Sequence, residues 1–210
     1  MTSSRSADRQ RREFESLVLP HLDGLYAAAL RLTKNPRDAE DLVQDSVLRA
    51  YRFFDRFERG TNIKAWLYKI VTNTFINRYR RVTKERTIID DERDSVQDRL
   101  VSRDAAAQAE NPEAAYFDRL LSDDVLRALD AVPIDFRMTV ILADLQDFSY
   151  KEIAEILDVP VGTVMSRLFR GRRILQGQLA EYATASGVLQ PAREADRIDL
   201  AGWKRQRGKG

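Results

Sequence analysis

The 210-residue chain contains no cysteine and only one histidine, His21. The first absence excludes a disulfide framework, a thiol nucleophile and any Cys-ligated zinc or iron–sulfur centre. The second leaves nothing from which to build a His-based metal cluster or a catalytic triad, so neither a cofactor nor an enzyme is expected. His21 follows Pro20 near the start of an apolar helix and reads as a helix-start or core-edge residue. Long apolar runs are missing too. The N-terminal stretch MTSSRSADRQRREFE has no apolar h-region and nowhere do 18 apolar residues run together, so neither export nor a membrane span is expected, and the expected location is the cytoplasm. With 9 Gly, 6 Pro, 43% hydrophobic and 32% charged residues, what remains is the composition of a folded, helix-rich protein. The net charge is only +2, from 35 basic and 33 acidic residues, so the informative quantity is how the two signs are distributed.

That distribution divides the chain. From Trp66 to Arg86 six basic residues (Lys69, Arg78, Arg80, Arg81, Lys84, Arg86) face one acid, Glu85. From Ile88 to Asp118 nine acids face three arginines, with few large apolar residues, which predicts an acidic flexible linker too poor to build a core. From Thr163 to Leu175 four arginines (Arg167, Arg170, Arg172, Arg173) occur without an acid. The expected organisation is a disordered N-terminus over 1–13, a helical domain over 14–86, the linker over 87–118, a second helical domain over 119–183 and a polar, basic tail over 184–210. The fold class is all-α, two small helical domains in series.

Asn35-Pro36 offers an N-cap followed by proline at the first helical position, with Asp38, Glu40 and Asp41 where the helix dipole favours acids. Along the predicted helix Val43, Val47, Ala50 and Phe54 form an apolar stripe, while Asp41, Gln44, Asp45, Leu48 and Arg52 lie opposite. A solvated face is the plain reading of that second set, and Leu48 argues mildly against it. In the next helix Leu67, Ile70, Val71 and Thr74 form a buried stripe and Tyr68, Thr72, Phe75 and Tyr79 a second, with Lys69, Asn73, Ile76, Asn77 and Arg80 on the flanks. Interleaved aromatic, amide and cationic groups suit single-stranded nucleic acid, where bases stack and cations follow phosphates. Aromatics at helical spacing are more often core, the plainer reading for Trp66 and Phe75. A turn-rich loop, Glu58 to Lys64, leads into this helix.

The C-terminal domain carries the sharper signal. Ser149-Tyr150-Lys151-Glu152 is a capping box opening a helix to about Leu157. Asp158 to Gly162 breaks it, and a second helix begins near Thr163 with Val164, Leu168, Gly171 and Leu175 inward and Ser166, Phe169, Arg170 and Arg173 outward. A short helix, a tight turn and a longer basic helix make a helix-turn-helix, whose arginines could bridge O6 and N7 of guanine in a major groove. The plain alternative is an amphipathic hairpin with a solvated arginine face.

The segments NPRDAEDLVQDSVLRAYRFFDRF, RGTNIKAWLYKIVTNTFINRYRR and FSYKEIAEILDVPVGTVMSRLFRGRRIL together resemble bacterial extracytoplasmic-function (ECF) sigma factors, specifically the SigR/SigH-type thiol-oxidative-stress group. The likeness runs from about Phe14 to Ala183, the first domain corresponding to region 2 and the second to region 4. It implies that Asp41, Gln44, Asp45, Leu48 and Arg52 face the β′ clamp helices of core RNA polymerase, with the β flap a further contact. It implies that the loop Gly60, Thr61, Asn62, Ile63, Lys64 and the helix bearing Lys69, Asn73, Asn77, Arg78 and Arg80 take the melted −10 element of promoter DNA. It implies that Thr163, Met165, Ser166, Arg167, Phe169, Arg170 and Arg173 read a duplex −35 element, GGAA-like in this group. The linker would thread toward the polymerase active centre, its negative charge mimicking RNA. An anti-sigma factor, in this group one containing zinc, would hold the protein inactive. A Cys-free chain agrees with redox sensing by such a partner.

Two other readings compete. A freestanding helix-turn-helix regulator would bind duplex DNA alone and leave the basic aromatic helix and its loop unexplained. A magnesium nuclease would have to recruit Asp90, Asp91, Glu92 and Asp94, carboxylates with no rigid support.

Overall fold

A computed structural model describes the backbone of residues 2–89 and 123–185, and the side chains of 8–82 and 124–180. Most of the expected linker, with Asp90, Asp91, Glu92 and Asp94, and all but the first two residues of the tail lie outside the described residues. Among the described residues the regular structure is helical, with no strand. The N-terminal half holds α1 (Thr2–Val18), α2 (Leu22–Thr33), α3 (Pro36–Arg52) and α4 (Ile63–Ile89), with a 3₁₀ turn Leu19–His21 between the first two. The C-terminal half holds α5 (Asp123–Asp130), α6 (Ile134–Val140), α7 (Tyr150–Leu157) and α8 (Val161–Ala185).

The expectation of a disordered segment over 1–13 is corrected: α1 begins at Thr2. Its composition is polar, but Phe14 and Val18 are buried at its C-terminal end. Phe14 meets the rings of Tyr51 and Phe54 edge-on at 5.1 and 5.2 Å, and Arg59 grips Glu13 through two hydrogen bonds of 2.6 and 3.1 Å. Tertiary contacts therefore hold a helix that its own sequence does not advertise.

Helix α2 is the axis of this half, burying Leu25, Tyr26, Ala28, Ala29, Leu30 and Leu32. It ends at Lys34, in the left-handed region with φ 58°, whose N–H closes on the Leu30 carbonyl. Asn35 then caps α3 as anticipated, its side-chain oxygen accepting from the N–H groups of Arg37 at 2.9 Å and Asp38 at 3.2 Å. The buried face of α3 differs in phase from the expected stripe. Ala39, Leu42, Ser46 and Ala50 are buried, while Val43 and Val47 are half-buried. The small Ala39 and Ala50, both wholly inaccessible, allow close packing against the small-residue face of α2, and the Ser46 hydroxyl is satisfied by the Leu42 carbonyl at 2.6 Å.

In the C-terminal half the capping box forms as read. Ser149 Oγ accepts from the Glu152 N–H at 3.3 Å while the Glu152 carboxylate accepts from the Ser149 N–H at 2.9 Å. Asp158 ends α7 in the left-handed region, and α8 begins at Val161, two residues earlier than expected. Ile153 and Val164, both wholly inaccessible, meet at the junction of the two helices. Gly171 is required where α8 crosses α6, because a Cβ there would lie 2.7 Å from Val140 Cγ2. Buried Arg137 donates to the carbonyls of Asp130 at 2.8 Å and Val132 at 2.9 Å, satisfying acceptors left open at the end of α5. Helix α6 continues into a single π-helical turn, Ile141–Leu145.

One hydrophobic core runs through both halves, from Phe14 and Leu25 through Tyr68 to Phe148, Ile153 and Val164. The two units that the charge map separates thus meet along α4 and α7, and this seam positions the sites described next.

Candidate nucleic-acid interface

Three surfaces follow from this packing. The first is the outer face of α3, where Asp41, Gln44, Leu48 and Arg52 are exposed and Asp45 is half-buried. Leu48 is 56% accessible and lies beside exposed Tyr51 and, from the preceding 3₁₀ turn, Leu19. Large apolar side chains at the edge of a charged face suit a contact surface. Arg78 reaches this face from α4, its guanidinium bonded to the Asp45 carboxylate and, at 3.3 Å, to the Asp41 carbonyl.

The second surface comprises the loop before α4 and that helix's outer row. Lys69, Asn73, Asn77 and Arg80 are all exposed, at spacings that align them on one side. Arg78, grouped with them from sequence, turns instead toward α3. Gly60 sits at φ 91° with open space around it, and the Thr61 hydroxyl donates to the Glu58 carbonyl at 2.7 Å, so the loop is a true turn. Asn62 has two roles: its oxygen accepts from the Ala65 N–H at 3.1 Å, capping α4, and its amide donates to Glu152 Oε1 at 2.7 Å. Lys64 Nζ donates to the Gln146 carbonyl at 2.6 Å and lies 4.7 Å from the centre of the Phe148 ring. Ile63 is half-buried. The aromatics of α4 resolve as core: Tyr68 and Phe75 are buried, and Trp66 packs on Phe57 with ring centres 5.2 Å apart.

The third surface is the outer face of α8. Met165, Ser166, Phe169, Arg170 and Arg173 are exposed, with Met165 53% and Phe169 67% accessible. Thr163 is half-buried in the first turn, its carbonyl accepting from the Ser166 hydroxyl at 3.0 Å. Arg167 departs from the group, half-buried and facing Asp135 of α6 at 3.6 Å. Arg172 is held by Asp144 through hydrogen bonds of 3.1 and 2.5 Å, which push its pKa up and make it a brace between α8 and the π turn. Exposed apolar side chains on a basic helix suit a groove, where thymine methyl groups and base edges are both on offer.

Sequence reasoning missed the partners of the loop. Gln146 and Phe148 follow the π turn, and Gln146 Oε1 accepts from the Tyr68 hydroxyl at 2.5 Å while Phe148 meets the Tyr68 ring edge-on at 5.0 Å. Burial pushes the Tyr68 hydroxyl pKa up, so it remains a donor throughout the physiological range. The Glu152 carboxyl is held below its ordinary pKa, mainly by the Ser149 hydroxyl and N–H and further by Asn62 and Lys64. The one local signal for a contact at this place is Phe148, an apolar ring just ahead of a cap, which suggests a staple onto its own helix as readily as a contact with another domain.

A helical N-terminal unit with a displayed α3 face, followed by a helix-turn-helix with a displayed basic face, defines a two-headed transcription protein. Residues 17–85 match the family model described as Sigma-70 region 2, and residues 122–175 match that of Sigma-70 region 4. The chain is 37% identical over 172 residues to the ECF RNA polymerase sigma factor SigE of Mycolicibacterium smegmatis, covering 81% of this chain and 63% of that protein's length. It is 32% identical over 168 residues to the ECF RNA polymerase sigma factor SigW of Bacillus subtilis, covering 80% of this chain and 89% of that protein. Among solved structures it is similar to the sigma factor RpoE of Bartonella quintana in complex with the anti-sigma factor NepR, with a TM-score of 0.62, 31% identity, and coverage of 80% of this chain and 98% of that one. The chain belongs to the ECF family of RNA polymerase sigma factors.

Proposed function

We propose that this chain binds core RNA polymerase through the outer face of α3 and directs it to promoters read by two separate heads. Asp41, Gln44, Asp45, Leu48 and Arg52 dock on the β′ clamp helices. The loop Gly60 to Lys64 with Lys69, Asn73, Asn77 and Arg80 takes the melted −10 strand. Met165, Ser166, Phe169, Arg170 and Arg173 read the −35 duplex, with Arg167 and Thr163 at its edge and a β flap contact elsewhere on region 4. The single observation that carries the reading is the coexistence of two exposed faces, on α3 and α8, in a chain matching both sigma regions. Splitting recognition this way lets neither head bind tightly alone, because the polymerase supplies the effective concentration of the second contact. Specificity then resides in the holoenzyme. An anti-sigma partner, as in the complex of the similar RpoE, regulates the protein, and the action lies with polymerase in the cytoplasm. The level of assignment is the ECF family; the SigR/SigH-type subgroup and a zinc-containing partner rest on the sequence resemblance alone.

Among the described residues no helix is long and apolar enough to cross a membrane, and no group of His, Asp and Glu side chains is placed to hold a metal ion. The deciding experiment is equilibrium binding of the labelled chain to purified core polymerase beside the Asp41→Lys variant. Binding of the natural chain and its loss in the variant, with unchanged circular dichroism, is the expected result. No binding to core together with tight binding to duplex DNA alone would instead describe a freestanding regulator.

A further inference from the structure

The exposed surface of α8 divides into two strips of different chemistry. At about 100° per residue, Ser166, Arg170 and Arg173 lie about 80 to 140° round the helix from Met165, whereas Phe169 lies only about 40° from it. The first strip is hydroxyl and guanidinium; the second is thioether and aromatic ring. Met165 is 53% accessible, and Phe169, at 67%, is the most exposed large apolar side chain among the described residues. The two stand over a shallow groove of about 640 Å³, floored by buried Leu168 and walled by Tyr150 from the first turn of α7. Arg172 donates to the Tyr150 hydroxyl while Asp144 holds the same guanidinium, so the wall is fixed and that charge is spent on the fold. From Val161 to Ala180 the helix carries no acidic residue. The packing of α8 does not use Met165 or Phe169, because Val164, Leu168 and Gly171 make its buried side.

A major groove offers the counterpart of this pattern. Its floor carries the C5-methyl groups of thymine beside the hydrogen-bonding edges of the bases, and its walls are phosphate. An apolar strip beside a guanidinium strip on an acid-free helix matches both parts, whereas an apolar protein surface would leave the neighbouring cations unmatched. We propose that Met165 and Phe169, walled by Tyr150, are the thymine-reading residues of this head, burying the C5-methyl groups of two adjacent A·T pairs, with guanine left to Arg170 and its neighbours. The proposal deepens the −35 reading of α8 and rests on it. Spacing sets the number of pairs. Met165 and Phe169 are four residues apart, about 6 Å along the helix, against about 3.4 Å between stacked pairs, so two long side chains span one base step and no longer run. A methyl contact makes no hydrogen bond; its worth is the burial of one carbon, about fourfold in affinity. An arginine on guanine is indifferent to that carbon.

The test uses holoenzyme formed from the full chain and core polymerase, with promoters randomised over the −35 element. In the selected promoters each thymine of that element is replaced in turn by deoxyuridine, which removes the C5-methyl group and leaves every hydrogen-bonding edge intact. Affinity should fall about fourfold at each of two adjacent positions and stay unchanged at the others. Phe169→Ala should abolish the penalty at one of the two and Met165→Ala at its neighbour, while Phe169→Leu, still apolar, keeps part of it. Arg170→Ala should leave both penalties in place. Both side chains stand in solvent, so the variants should fold with unchanged circular dichroism. A selected element without adjacent A·T pairs, deoxyuridine without effect at every position, or penalties that survive in both alanine variants overturns the methyl reading; the −35 reading then stands as long as Arg170→Ala still alters the selected sequence. Loss of core binding in Phe169→Ala with the penalties intact makes the strip a protein contact and overturns the methyl reading too. A selection that returns no sequence preference over the −35 element overturns the −35 assignment beneath it.

Discussion

The two heads proposed to face DNA are built to opposite plans. The α8 head is rigid and bare: a capping box, a tight turn and a glycine crossing fix its helices, and Met165, Phe169, Arg170 and Arg173 stand in solvent. The α4 head is a loop whose amide and ammonium are bonded across to the other half. A duplex groove presents a preformed surface and rewards a preformed helix, whereas a melted strand exists only once polymerase has opened the DNA. A head for the strand therefore needs to be available only at that stage, and it loses nothing by being covered earlier.

The contrast breaks most completely if the rigid head is unmade. Ile153→Ala removes a wholly inaccessible side chain from the α7–α8 junction and should cost about 2 to 5 kcal/mol. Urea unfolding of the full chain should show the loss as a lower midpoint, accompanied by release of Asn62, because α7 also carries Glu152. Persistence of a closed seam in that variant would mean that the turn after α6 holds it alone.

A smaller change sharpens the comparison by testing what the bare face reads. Arg170 lies exposed with its guanidinium 5.9 Å from the Phe136 ring centre, a contact that can steady it without consuming its donors. In holoenzyme, Arg170→Ala should cost about 1 to 3 kcal/mol at one −35 position if it bridges a guanine. A uniform loss across all −35 substitutions would make it a phosphate contact. Ser149→Ala, which deletes half of the capping box, should cost about 1 kcal/mol of stability.

How much of this was legible in the sequence depended on whether the cause was local. Asn35-Pro36 and Ser149 to Glu152 each carry their own cap, and both helix starts stand where the residues place them. The inward set Val164, Leu168, Gly171 and Leu175 is right because one side of α8 meets its neighbours and the other meets solvent. Hydrophobicity alone does not mark the deepest row of α3, because α2 and α4 cover the side that carries Ala39, Leu42, Ser46 and Ala50, while Val43 and Val47 pack at the margin of the core. Charge alone groups Arg78 and Arg167 with their neighbours, yet each faces an acid on another helix, Asp45 and Asp135, that spacing along one helix cannot reveal. The seam was invisible for a stronger reason. Its key acceptor for Lys64 is a backbone carbonyl, common to every residue type, 82 positions away.

Acid offers the gentlest way to separate the two heads, through Glu152. Its carboxyl titrates below the ordinary value near 4.5 because the charged form accepts from Ser149 and Asn62. A carboxyl whose folded pKa is depressed contributes stability that is fully present above the unfolded value and lost as pH falls through the folded one. The loss therefore falls below about pH 4.5, and nothing should change between pH 6 and 8 on this account. Other carboxylates also titrate in that window, so the measurement is a difference: the distance across the seam between spin labels on Arg37→Cys and Arg127→Cys, both exposed positions, as a function of pH in the natural chain and in Glu152→Gln. Glutamine retains an oxygen that can accept from Asn62 but carries no charge to protonate. The natural chain should show a component of seam loosening on acidification that the variant lacks, while the α8 face keeps its affinity for duplex until the helices themselves melt. Identical pH profiles would mean that Lys64 and the Tyr68–Phe148 contact hold the seam and that Glu152 serves only its own helix.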